Sequence, residues 1–206
     1  IPESITFLTL YKTPHFIMSV MLMVGIFLLM FLALTKNLFR YVIYAGFLAL
    51  IYFNFHPFYI PMIYGTLGLY LLYLFFKEQK ISWPKVYYFL IFILLSAPSV
   101  IYHFISLFSS DFLRQRAFQN VTIAPPFVFI IIGYGFLWLF AIFGIFKLIK
   151  NKQTNNHINF LLIWLVYSIL LVILPFQFQS RYTQGLHIPL VIFSVFGIYF
   201  LKQKFF

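Results

Sequence analysis

Arg181 is the residue of this chain best equipped for chemistry. It stands in Phe176-Gln177-Phe178-Gln179-Ser180-Arg181-Tyr182-Thr183-Gln184-Gly185, a polar interval between two apolar runs. An arginine placed at the centre of a membrane helix costs about 2.5–3.5 kcal/mol, so one beside a span needs a partner or a wet cavity. Its planar fork suits bidentate binding of a phosphate. Tyr182 and His187 add donors, and Gly185 lets the backbone come close to a ligand. The same spacing also fits an arginine snorkelling to lipid headgroups, with Gln177 and Gln179 as ordinary loop residues.

A second group lies at the start of the chain, where Glu3-Ser4 precedes Pro14-His15-Phe16. A carboxylate and an imidazole brought together there would orient a hydroxyl or help a proton transfer. The alternative is a solvated acid and an interfacial histidine. Asp111, with Arg114 and Arg116 close behind, reads first as a locally neutralised loop and second as a phosphate-binding pair of arginines. His56 and His103 read as interfacial caps, because two isolated histidines without a carboxylate make a poor metal site. Zero cysteines exclude disulfides, thiolate zinc and cysteine nucleophiles. No cofactor is called for, and a divalent metal stays open. Asn120-Val121-Thr122 matches a glycosylation acceptor, but so close to a span we expect it to stay unmodified.

The elements that must position these groups are apolar. The chain is 64% hydrophobic and 8% charged, against roughly 45–50% and about 25% in a soluble domain. A span needs about 20 mainly apolar residues. Seven runs qualify, beginning near His15, Tyr41, Tyr59, Val86, Phe127, Ile158 and His187. They nearly exhaust the chain, so residues 1–206 are expected to form one integral membrane region without a soluble domain. Lipid cannot satisfy open backbone, and the runs lack the alternation of barrel strands, so the fold class expected is all-α, a polytopic transmembrane bundle.

Punctuation places the ends of these runs. Pro14 opens the first and Pro175 closes the sixth. The second, Tyr41 to Phe55, is short, and Pro57, Pro61 and Gly65 make the second and third runs a candidate shallow hairpin or re-entrant element. Pro98 lies inside the fourth run and should kink it. Residues Ser109 to Ala124 read as the longest external loop, and the fifth run, opened by Pro125-Pro126, reads as one helix ending at Lys147-Lys150.

Cations orient the bundle. Ten of the fourteen Lys/Arg fall in alternate gaps on one side: Lys36, Arg40, Lys77, Lys80, Lys85, Lys147, Lys150, Lys152, Lys202 and Lys204. Lys12, Arg114, Arg116 and Arg181 fall on the other. Cytoplasmic loops hold the excess, so the N-terminus is expected outside and the C-terminus inside, in the inner (plasma) membrane. The net charge of +11 would suggest nucleic acid in a soluble protein. Here most cations flank spans, so nucleic acid is excluded as a partner and the lipid bilayer takes its place. Ile1 stands outside, just before a span, and we expect the chain to be the C-terminal portion of a longer polytopic protein.

An external Glu-Ser, then Pro-His-Phe at the head of a span, then a late Arg-Tyr-x-x-Gly-x-His-x-Pro leading into the final span, resembles the C-terminal half of bacterial GT-C-type membrane glycosyltransferases. The matching residues are Glu3-Ser4, Pro14-His15-Phe16 and Arg181-Tyr182, Gly185, His187 and Pro189. The resemblance implies a sugar taken from a polyprenyl-phosphate-linked donor outside the cytoplasm, with later arginines on the donor phosphate. It makes Arg181, Tyr182, His187, Glu3, His15, Arg114 and Arg116 the expected substrate-binding residues. It also implies a catalytic carboxylate in a first external loop, upstream of Ile1, so no catalytic residue is assigned.

Rival readings share the membrane setting. A transporter or flippase for lipid-linked saccharides would want ionisable groups near the midplane, and the runs are nearly free of them. An O-antigen polymerase or ligase shares the substrate class, and a non-catalytic assembly partner needs no acid. Sugar, acceptor and oligomeric state stay open.

Overall fold

The computed structural model describes residues 14–119, 121–175 and 177–205, with the backbone alone at 14, 116, 204 and 205. Glu3 and Ser4 lie outside the described residues. Every regular element among them is helical, which an apolar chain in lipid requires, because a helix satisfies its own backbone. Five helical stretches among the described residues are long and apolar enough to cross a membrane, or six if a pair bent by 89° counts as one span. The chain divides into two compact units, whose described residues run 14–122 and 123–205.

The first unit begins with α1 (Pro14–Lys36), with Pro14 at its start and Lys36 in its last turn, where a cation complements the helix dipole. Asn37 takes a left-handed φ of 54° and turns the chain into α2 (Phe39–Phe55). At 17 residues, α2 is only about 25 Å long, short of the roughly 30 Å core. It stops at His56 because the residue before Pro57 avoids the helical region. A 3₁₀ turn, Pro57–Tyr59, leads into α3 (Ile60–Glu78), and α4 (Trp83–Ser109) follows.

Two sequence expectations change here. The re-entrant element expected around Pro61 and Gly65 does not form, since α3 runs unbroken with Pro61 in its first turn, where no N–H is needed. α4 carries Pro98 inside an assigned helix, a position where proline removes one backbone bond. Residues expected as an external loop hold a short helix, α5 (Asp111–Gln119), with Asp111 at its positive end.

In lipid, helices gain little from burying apolar surface, so they associate through small residues and hydrogen bonds. Gly46 of α2 faces Leu95 of α4, where an added Cβ would stand 2.6 Å from the Leu95 Cβ. Nearby, Ser99 Oγ donates to the Leu50 carbonyl at 2.6 Å, and Asn54 Nδ2 donates to Ser99 Oγ at 2.6 Å. Tyr64 of α3 joins Ser96 of α4 at 2.7 Å. Buried Lys85 pairs with Glu78 across the α3–α4 connection.

The second unit comprises α6 (Phe127–Tyr134), α7 (Phe136–Lys150), α8 (Asn156–Ile173), a 3₁₀ turn (Gln179–Thr183) and α9 (His187–Phe205). The fifth run is not one helix. It bends by 89° at Gly135, whose φ of 51° and ψ of −124° suit glycine alone. Asn155 caps α8, its Oδ1 accepting from the Ile158 N–H at 3.0 Å. α7 and α9 cross in backbone contact, because a Cβ on Gly144 would run into the Phe193 carbonyl and one on Gly197 into that of Phe140. Ser194 Oγ ties the same pair by donating to the Leu137 carbonyl at 2.7 Å.

Candidate functional site

In the second unit, Arg181, Tyr182 and His187 share one turn-and-helix element. Pro175 follows α8, and the chain then tightens into the 3₁₀ turn Gln179–Thr183. Gln179 staples the turn, with Nε2 donating to the Leu174 carbonyl at 2.6 Å and Oε1 accepting from the Ala124 N–H at 3.3 Å. Gln179 is therefore more than the ordinary loop residue its composition offered. The Arg181 N–H bonds to the Phe178 carbonyl, and the Gln184 N–H bonds to that of Arg181. Thr183, fully buried, turns its hydroxyl to the Ser180 carbonyl at 2.6 Å.

This packing sets a polar turn into an apolar unit. Tyr182, Thr183 and Gln184 are buried, and Arg181 is half-buried. Gly185 follows with φ +88°, a left-handed step that hands the chain into α9. His187 opens α9, its ring stacked on Tyr134 with centroids 6.0 Å apart. Tyr134 also stands edge-on to Trp138 across the Gly135 bend, at 6.3 Å. The Trp138 indole N–H is buried and has no hydrogen-bond partner among the described residues. Sequence reasoning passed over Tyr134 and Trp138; the Gly133-Tyr134-Gly135 triplet was the signal available.

In the first unit, His15 stands exposed in the first turn of α1, its ring 4.4 Å from Phe16 and stacked 6.3 Å from His56. His56, expected as a cap, does end α2, its backbone N–H bonded to the Tyr52 carbonyl, and its ring is also caged by those of Phe16, Tyr52, Phe58 and Tyr59, all within 6.3 Å. Below the two imidazoles lies a cavity of about 460 Å³ lined by His15, Met18, Ser19, Leu22, Phe55 and His56. Arg114 is exposed and paired with Asp111 one turn earlier on α5. The Arg116 side chain and Glu3 lie outside the described residues. His103 keeps a buried Nε2 without a hydrogen-bond partner among the described residues.

Chemically, the second-unit turn offers donors. Of the described acidic residues, Glu78 and Asp111 are both held in ion pairs, so neither is poised as a base. No cluster of three or more His, Asp or Glu able to hold a metal occurs among the described residues. No family model, curated relative or solved structure matches the chain. Its apolar helices define a helical membrane protein.

Proposed function

We propose that this protein is a polytopic membrane glycosyltransferase that draws sugar from a polyprenyl-phosphate-linked donor at the extracytoplasmic face of the plasma membrane. In this reading the chain crosses the membrane about seven times, N-terminus outside and C-terminus inside, with α2 as a shallow crossing and α6–α7 as a broken one. The ten-to-four division of cations supports the orientation.

The observation that carries the reading is Arg181, half-buried in a stapled turn between two apolar helices. A long-tailed phosphate donor has an anionic head at the membrane boundary and an apolar tail below it. Arg181 meets that head with a bidentate fork, and Tyr182 and His187 supply further donors. The resemblance of Arg181-Tyr182, Gly185, His187 and Pro189 to the late external motif of GT-C transferases points the same way. The turn positions the donor, and the base is not assigned to any described residue.

Sugar transfer from a lipid-linked donor tests the proposal. Arg181→Lys keeps the charge and loses the fork, so transfer at subsaturating donor should fall, and Arg181→Ala should lower it further. Wild-type transfer by Arg181→Ala would make Arg181 a headgroup anchor and remove the support for this function.

A further inference from the structure

The cavity beneath His15 and His56 has a shape that its lining explains. His15, Met18, Ser19 and Leu22 follow the i, i+3, i+4, i+7 spacing of one helix face, so the space is a groove along the axis of α1. Seven residues rise about 10 Å, and the groove therefore extends along a membrane-crossing helix rather than across it. Phe55 and His56, at the end of α2, close its other side. Its volume of about 460 Å³ is that of a ligand site.

The groove is apolar along its length and polar at one end. Ser19 is fully buried, and its hydroxyl is already bonded to that of Tyr52 at 3.0 Å, so the floor asks for no polar guest. Met18 is 54% and Phe55 73% exposed, which leaves the groove open sideways, toward lipid in a membrane protein. At the end of α1 the two imidazoles stand together, and the ring cage around His56 fixes one of them. Among the described residues no acid lines the groove, and the helix end there carries partial positive charge.

We propose that this groove binds one acyl chain of an anionic phospholipid, with the phosphate held by the N–H groups of His15 and His56. The apolar stripe takes the chain, and the imidazoles and helix end take the anionic oxygens. A zwitterionic lipid offers the same phosphate but brings a quaternary ammonium to a positive helix end that no described acid meets, so the site favours the lipid with net negative charge. The site belongs to the first unit and is independent of Arg181.

The test uses the intact protein in nanodiscs of phosphatidylcholine containing a minor fraction of phosphatidylglycerol with a photoreactive acyl chain. Labelling is mapped by mass spectrometry. The proposal expects label concentrated at Met18, Leu22 and Phe55. Met18→Trp, which fills the groove from its exposed side, should abolish it, while Met18→Ala keeps it and shows that the fold tolerates change at this position. The double variant His15→Gln, His56→Gln should lower phosphatidylglycerol labelling about tenfold and leave labelling by an equivalent phosphatidylcholine probe unchanged. Label spread evenly over lipid-facing residues such as Leu28 and Leu90, and unaffected by Met18→Trp, would overturn the site. Displacement of phosphatidylglycerol by an equal fraction of prenyl phosphate would overturn the choice of lipid and give the groove to an isoprenoid chain.

Discussion

Arg181 stands out in the sequence because a cation between two apolar runs has few ways to be accommodated. The staple that holds it does not. Gln179 reaches the Leu174 carbonyl and the Ala124 N–H, 55 residues away, and no local pattern announces a contact at that separation. Breaking the staple should loosen the turn without removing its charge. Gln179→Ala is expected to raise the donor concentration needed for half-maximal transfer severalfold, with Arg181→Ala having the larger effect; equal losses would mean the turn matters only as a scaffold. Gly135 belongs to the same scale. Its φ of 51° and ψ of −124° are closed to residues with a Cβ, so Gly135→Val should cost about 1–3 kcal/mol, read as a lower thermal unfolding midpoint in detergent. The partnership of Tyr134 and His187 was hidden for a related reason, since it depends on the bend that Gly135 creates.

Helices were the most legible elements, because lipid leaves an apolar run little choice of structure. Pro14, Pro57 and Pro175 marked ends that the helices respect within a few residues. The errors came from reading proline and glycine as breakers without regard to position. Pro61 falls in a first turn and does no harm, whereas Gly135 sits mid-run and is the actual break. α5 was missed because a nine-residue polar helix carries little periodicity. The α7–α9 crossing makes an element-level prediction. Gly144 and Gly197 have no room for a Cβ, so Gly144→Leu should force the pair apart and lower the unfolding midpoint by several degrees, an effect of about 1–3 kcal/mol. Ser194→Ala removes one interhelical bond and should cost about 0.6 kcal/mol, the average for such bonds in membranes. A larger loss for Ser194→Ala than for Gly144→Leu would contradict packing as the main adhesive.

At the scale of the whole molecule, composition alone announced a helical membrane protein, and the described helices agree with it. Orientation rests on charge, and it is open to a clean measurement because the chain has no native cysteine. A single cysteine at Gln153, between α7 and α8, should react with membrane-impermeant maleimide only after the cytoplasmic side is opened. External labelling there would reverse the bundle and place Arg181 on the wrong face for an extracytoplasmic donor. In the proposed function the residues gathered around Arg181 bind rather than catalyse, so donor affinity is the quantity closest to the central claim. Equilibrium binding of a polyprenyl phosphate to the intact protein in nanodiscs, wild type against Arg181→Ala, measures it directly. The loss of a charge-assisted bond is worth roughly 1.5–3 kcal/mol, so the account predicts a Kd about ten- to a hundredfold weaker for the variant, and an unchanged Kd would contradict it.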